Sequence, residues 1–260
     1  MTHVLCGGAL LLATVSLIAT TAKPVLAPAP AVPVLQVPPC NRGVAVATNF
    51  TVLGTATPAG QQTRVELCAT TSSLRLVAWL DDAVVMSPHT HCDDDVWAGG
   101  DVFETFVAPV DHVHDAPIWY YELDTGAAGA VYASHVNNSR GNASNCADSC
   151  REGRHLPPLC NAVFCDWELP CAGAADFRPA GYPTLRSIAS NVTGGWRVNM
   201  SLPFALFSHH VTQSRLWRAN FYRYDYEAPG APAVLSGWSA DFGGGSFHAP
   251  HWFGVLKLLS

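Results

Sequence analysis

The segment WAGGDVFETFVAP, residues 97–109, carries the pattern that decides the fold class. Residues 101–109 are predicted to form a β-strand that ends at Pro109, because β-branched and aromatic residues fill it and proline cannot donate to a sheet ladder. Similar stretches with period two, separated by frequent turns, recur along the chain. The further predicted strands are 64–70, 74–80, 119–125, 130–136, 196–204, 217–226 and 253–259. No long stretch has a 3.6-residue period, so we expect an all-β fold, an antiparallel β-sandwich.

Residues 137–185 interrupt this alternating strand pattern. Five cysteines lie between Cys146 and Cys171, and prolines are frequent among them. We interpret the segment as a disulfide-stapled, Cys-rich insertion on the sandwich. The cysteine spacing leaves a zinc site open as an alternative, but an oxidising compartment favours disulfides.

The N-terminal residues predict export. The apolar run at residues 9–18 is too short to cross a bilayer and is typical of a signal peptide, which we place at residues 1–22. The Pro- and Ala-rich residues 23–39 are expected to form an extended linker, and residues 40–260 the folded module. No later apolar run is long enough to span a membrane, so the protein is predicted to be secreted.

Cysteines and sequons agree with an extracellular location. Eight cysteines follow the signal peptide, and an even number in an exported chain predicts up to four disulfides, whose pairing the spacing leaves open. Five N-x-S/T sequons indicate a eukaryotic secretory route and predict glycosylation sites that face solvent. They lie at Asn49, Asn137, Asn142, Asn191 and Asn199.

The charge distribution argues against a nucleic-acid partner. The formal net charge is −6 and only 14 residues are basic, whereas a nucleic-acid binder needs a basic surface. Residues 76–139 hold 11 of the 20 acidic residues and no Lys or Arg. Carboxylate oxygens are the ligands that calcium takes, so Asp93 and Asp95 are predicted to hold a structural calcium ion. A solvated acidic loop is the alternative.

Three motifs follow one another in the strand regions: W-x3-D-x2-E at residues 97–104, W-R-x-N-F-Y-R at residues 217–223 and F-H-x-P-x-x-F-G at residues 247–254. Their order resembles the carbohydrate-binding module family 9-like domain, a DOMON-type β-sandwich with a jelly-roll or DOMON-like arrangement. The resemblance covers residues 45–259 apart from the Cys-rich insertion. It implies binding of an oligo- or polysaccharide. Some family members stack terminal sugars between tryptophans and hold structural calcium, and many are attached to glycoside hydrolases.

The resemblance also implies which residues meet the ligand. Sugar rings have apolar faces and polar edges, so a glycan site needs flat aromatic side chains beside polar groups that bind hydroxyls. Trp97 resembles the sugar-stacking tryptophan of the family, and a place in the core is its alternative. Glu104, Glu122, Asn220 and Arg223 recur in the family motifs; they are predicted to bind sugar hydroxyls or else to form a structural network. Asn220 and Arg223 are expected on opposite faces of their strand.

These features predict a secreted, non-catalytic carbohydrate-binding module. No G-x-S-x-G or H-E-x-x-H motif is present. The alternatives are an adhesion or matrix scaffold with no small ligand, an accessory domain of glycoside hydrolysis, a glycosidase with two carboxylates, and a haem-binding domain with Met and His ligands. Trp79 and Trp196 lie in apolar strands and are predicted to belong to the core.

Overall fold

The computed structural model describes residues 31–90, 96–138, 176–177, 185–207, 214–242 and 246–260. Within these ranges two β-sheets form, and the predicted all-β sandwich is confirmed. The strands are β1 Val34–Val37, β2 Ala45–Ala47, β3 Thr51–Val52, β4 Thr63–Ala69, β5 Ser73–Asp81, β6 Val102–Val110, β7 Trp119–Gly126, β8 Val131–Asn137, β9 Asp176–Phe177, β10 Leu185–Val192, β11 Gly195–Pro203, β12 Leu216–Asp225, β13 Val234–Gly237 and β14 Gly254–Leu258. Short 3₁₀ turns occur at Phe204–Phe207 and Pro250–Trp252. The described residues contain no helix with the length and apolar character needed to cross a membrane.

The two sheets pack face to face around one main core. The eight-stranded sheet has the order β1-β14-β12-β6-β7-β8, with β13 and β3 attached beside β12, and the six-stranded sheet has the order β2-β4-β5-β11-β10-β9. All described strand pairs are antiparallel except β1 with β14. Buried and exposed side chains alternate along β4 and β5, so one face of the six-stranded sheet meets solvent.

The predicted strands all exist, and their ends agree to within one residue. The sequence pattern missed two kinds of strand. β1, β2, β3, β9 and β13 are two to four residues long and give too little alternation to be recognised. β10 is longer, but its sequence LRSIASNV carries few of the β-branched and aromatic residues that mark strands.

The predicted linker over residues 23–39 is wrong for residues 34–37. They form β1, which pairs in parallel with β14, and Val37 is fully buried. The short apolar run stands between Pro33 and Pro38. β1 is also an edge strand, so neither proline removes a hydrogen bond from the interior of a sheet.

The two tryptophans predicted to lie in the core have different positions. Trp196 is fully buried in the main core, which confirms the prediction. The prediction is wrong for Trp79, which is half-buried on the solvent face of the six-stranded sheet, with the Arg197 guanidinium 5.5 Å from its ring centroid. Leu76 and Leu80 face the core, and side chains alternate along β5, so Trp79 must face outward.

One disulfide, Cys40–Cys68, ties the residues after β1 to β4. The other seven cysteines lie outside the described residues, as do the predicted signal peptide and most of the predicted Cys-rich insertion.

β12 changes its neighbour halfway along its length. Residues 216–219 pair with β14, whereas residues 222–225 pair with β13. The Asn220 side chain spans the change: its Oδ1 accepts the N–H groups of Phe221 and Ser239, each at 2.9 Å, and its Nδ2 donates to the Ser239 carbonyl at 2.9 Å. Because Asn220 is fully buried, these bonds satisfy groups that water cannot reach.

We therefore expect Asn220→Ala to lower the free energy of unfolding by about 2–4 kcal/mol, since it leaves buried backbone groups without partners. Urea denaturation of the purified protein measures the change. Asn41→Ala, at an exposed position, is the control and should stay within about 0.5 kcal/mol of the wild type. Equal effects of the two substitutions would contradict the role assigned to Asn220.

Candidate functional site

The centre of the eight-stranded sheet is buried on both faces. Every residue of β6 is buried. Phe103 and Val107 face the main core, and because side chains alternate along a strand, Glu104 and Phe106 face the other side. We call this second side the outer face. Polar groups on it are removed from water, so their partners must come from the protein or from a ligand.

Three carboxylates meet on the outer face. Glu104 on β6 lies opposite Asp124 on β7, and Glu122 lies two residues before Asp124 on the same strand. One oxygen of each group lies within 4.8 Å of the others. The exposed fractions of Glu104, Glu122 and Asp124 are 2%, 6% and 1%. We call these residues the carboxylate trio.

Burial raises the pKa of every member of the trio. The pKa of Glu122 rises to about 7, although the Ser134 hydroxyl donates a hydrogen bond to it at 2.9 Å. Burial, and then the neighbouring carboxylates, hold the pKa values of Glu104 and Asp124 well above their usual range. Within the described structure, Glu104 Oε2 and both oxygens of Asp124 have no hydrogen-bond partner.

Two buried clusters flank the trio along the strands. Val102 and Phe106 stand two residues before and after Glu104 on β6, and each belongs to a separate buried cluster. The cluster around Phe106 also contains Ala108, Tyr120, Val136, Tyr222, Phe247 and Phe253. The cluster around Val102 contains Val96, Ala130 and Tyr132, with Trp97 and Tyr224 packed against it.

His248 fastens the segment before β14 to the outer face. Its Nδ1 shares a hydrogen bond with the Tyr120 hydroxyl at 2.7 Å, and its carbonyl accepts Asn138 Nδ2 at 2.9 Å. Its Nε2 lies 3.9 Å from Glu122 Oε2. Burial lowers the pKa of His248 to about 4, so the imidazole is neutral near pH 7 and does not balance the charge of the trio.

Trp97 lies beside the trio and reaches the surface. Its half-buried indole packs edge-on against Tyr132, with ring centroids 5.2 Å apart. The Tyr226 hydroxyl donates to the Trp97 carbonyl at 2.6 Å. Tyr132 pairs with Asp124 across β7 and β8. The Trp97 indole therefore lies on the outer face, against the cluster that contains Val102 and Tyr132. A role of Trp97, Glu104 and Glu122 in ligand binding stays a prediction.

Arg223 lies apart from that group, on the core side of the eight-stranded sheet. Its Nη2 contacts Asp82 Oδ2 at 3.1 Å and Asp225 Oδ1 at 3.0 Å, and its Nη1 donates to the Asp81 carbonyl at 2.6 Å. Asp82 follows β5, so this ion pair joins the two sheets. Asn220 lies on the outer face, which confirms the expected opposite orientation of the two side chains. Both are fully buried.

Asp101 completes a second group of buried acids. One oxygen each of Asp82, Asp101 and Asp225 lies within 4.8 Å of the others. Asp101 accepts the Tyr226 N–H at 2.8 Å and the Met86 N–H at 2.5 Å. Burial outweighs these bonds and, with the charges of Asp82 and Asp225, raises the pKa of Asp101 to about 7. Unlike the trio, this group has Arg223 and backbone N–H groups as partners.

The remaining predicted sites are only partly within the described structure. Asn49 and Asn191 are exposed, and Asn199 is half-buried on the solvent face of the six-stranded sheet. Glycosylation at these positions stays a prediction. The predicted residues outside the described part of the chain are the calcium ligands Asp93 and Asp95 and the sequon residue Asn142, together with the side chain of Asn137.

Asp124 is the member of the trio that sequence analysis missed. A signal was present, because Glu122 and Asp124 are two residues apart in a predicted strand and must share a face. The position of Glu104 opposite Asp124 depends on the strand register, which the fold determines.

Asp101 provides a test of the buried charges. Because its pKa is raised, the native state holds the proton more tightly than the unfolded state, so the contribution of Asp101 to stability is complete below about pH 4 and is lost as pH rises towards 7. We expect the wild type to lose stability relative to Asp101→Asn as the pH rises from 4.5 to 7.5. Urea denaturation at each pH measures the free energy of unfolding of both proteins. Asp81→Asn, at an exposed position, is the control. A difference independent of pH would contradict the raised pKa.

Comparisons with known proteins support the fold. No family model matches the chain. An "Extracellular protein" of Arthroderma benhamiae is 26% identical over 230 residues, covering 87% of this chain and 91% of that protein. A Bacteroides uniformis protein, described as carbohydrate-binding by inference, has a TM-score of 0.59 at 15% identity over 88% of this chain and 100% of its own. A family 9 carbohydrate-binding module of Caldicellulosiruptor kristjanssonii, solved with cellotriose, has a TM-score of 0.47 at 13% identity over 86% and 93%. The match to the Bacteroides uniformis structure supports the β-sandwich fold.

Proposed function

We propose that the chain is a secreted, non-catalytic module that binds an oligo- or polysaccharide at the outer face, beside Trp97. The observation that carries this proposal is the joint position of Trp97, Glu104 and Glu122 on one face of the sandwich. The fold shared with a carbohydrate-binding protein supports it. The extracellular relative from Arthroderma benhamiae supports secretion.

A fixed aromatic ring favours sugar binding. About 100 Å² of C–H surface packed on an indole contributes about 2.5 kcal/mol before ordering costs. Tyr132 and Tyr226 already hold Trp97 in place, so binding would cost little conformational freedom. The exposed part of the indole is the surface on which we place the sugar.

Glu104 and Glu122 lie on the same face of the eight-stranded sheet as the cluster that packs against Trp97. Their exposed fractions of 2% and 6% leave little carboxylate surface for a glycan to contact directly. β6, which carries Glu104, contributes Val102 to that cluster. We therefore place the first sugar contact at Trp97, and propose that the two acids define the shape and charge of the outer face.

The carboxylates favour binding over hydrolysis. A glycosidase holds two carboxyl groups on opposite sides of the scissile bond, about 5–5.5 Å or 6.5–9.5 Å apart. The trio brings its oxygens within 4.8 Å of one another in a buried position. Their burial leaves no access for a glycosidic bond.

Met200 and His248 do not form a pair of haem ligands. Met200 packs in the main core between the sheets. His248 lies on the outer face of the eight-stranded sheet, where it is bonded to Tyr120. The two side chains therefore do not face a common cavity.

Trp97→Ala tests the proposed site. A glycan array first identifies a ligand for the wild type, and calorimetry then measures its affinity. We expect the variant to bind about ten- to a hundredfold more weakly, because it loses about 1.4–2.8 kcal/mol of stacking. Trp79→Ala is the matched control, since it removes a half-buried indole from the opposite sheet.

Three results would contradict the proposal. Equal affinity of Trp97→Ala and wild type would remove Trp97 from the site. Loss of binding in Trp252→Ala alone would move the site to the groove of about 510 Å³ lined by Trp238, Phe242 and Trp252. No binding to plant, algal, fungal or bacterial glycans would favour the adhesion or matrix scaffold.

A further inference from the structure

The carboxylate trio presents an unusual electrostatic arrangement. Glu104 and Asp124 stand directly opposite each other on neighbouring strands, where like charges are destabilising. Glu122 adds a third carboxylate on the same face. No ion pair of the described residues brings a Lys or Arg to these groups.

The unsatisfied oxygens point to a missing partner. Buried carboxylate oxygens normally have hydrogen-bond donors, yet Glu104 Oε2, Asp124 Oδ1 and Asp124 Oδ2 have none in the described structure. The second acidic group shows the usual arrangement, because Arg223 and the backbone N–H groups of Met86 and Tyr226 satisfy its carboxylates. The trio has a similar density of acids without such donors.

The donor set and its dimensions suit calcium. The trio offers up to six hard oxygen ligands, and calcium takes six to eight oxygens. Calcium–oxygen bonds of about 2.3–2.6 Å place opposite ligands about 4.6–5.2 Å apart. One oxygen of each residue lies within 4.8 Å of the others, so one ion can contact all three residues. Magnesium has shorter bonds and keeps several waters, so a buried set of carboxylates favours calcium.

We propose that Glu104, Glu122 and Asp124 bind one calcium ion on the outer face of the eight-stranded sheet. The ion supplies the positive charge that the surrounding side chains lack and links β6 to β7. This site differs from the calcium site predicted from the sequence at Asp93 and Asp95. It also goes beyond the proposed glycan binding, and neither proposal requires the other.

Calorimetry with calcium chloride tests the site on secreted protein freed of metal by a chelator. We expect wild type to bind one ion per chain at the trio. Glu104→Gln and Asp124→Asn keep the side-chain shape and remove one ligand charge each, and we expect each to weaken calcium binding about tenfold or more. Asp101→Asn, in the second acidic group, is the matched control and should leave the affinity within about threefold of wild type.

Thermal denaturation gives a second readout that does not depend on the heat of binding. Calcium should raise the Tm of wild type and of Asp101→Asn, and should raise it less in Asp124→Asn, because a ligand stabilises only the state that binds it. No binding by wild type at about 10 mM calcium, above the range of weak extracellular sites, would overturn the proposal. Loss of binding in Asp101→Asn or Asp93→Asn, with binding kept in Asp124→Asn, would also overturn it. Glycan binding, measured separately, distinguishes failure here from failure of the proposed function.

Discussion

Burial of β6 on both faces is the constraint on which the rest of the structure depends. An antiparallel sheet commonly leaves one face to water, and the six-stranded sheet does so. In the eight-stranded sheet, the main core covers one side of β6, and the clusters that contain Val96 and Phe247 cover parts of the other. Glu104 must then lie in a dry environment, and its charge needs a compensating group within reach.

Tyrosines cover much of the outer face around the trio. Each combines an apolar ring with a hydroxyl that needs a partner when buried. Tyr222 packs on Phe247, with ring centroids 4.1 Å apart, and donates to the Phe247 carbonyl at 3.0 Å. Tyr120 holds His248, and Tyr226 holds Trp97. The same contacts that cover the sheet therefore fix the tryptophan proposed as the sugar platform.

The sequence predicted what depends on local alternation and missed what depends on register. The strand carrying Glu104 was evident because its pattern is local, and the opposite orientation of Asn220 and Arg223 followed from parity alone. The pairing of Glu104 with Asp124 arises between two strands, and the cross-sheet ion pair of Arg223 with Asp82 arises between two sheets. Such contacts depend on tertiary structure, which a single strand pattern does not contain.

Tyr132 connects the two proposals physically. Its ring packs edge-on against Trp97, while its backbone pairs with Asp124 across β7 and β8. A cation that neutralises Glu104 and Asp124 would remove repulsion between β6 and β7 without touching the indole, because the trio is buried and Trp97 reaches the surface. Metal and glycan would then occupy different depths of one face. Tyr132 on β8 therefore offers one path between the ion and the indole, and Val102, two residues from Glu104 on β6, offers another.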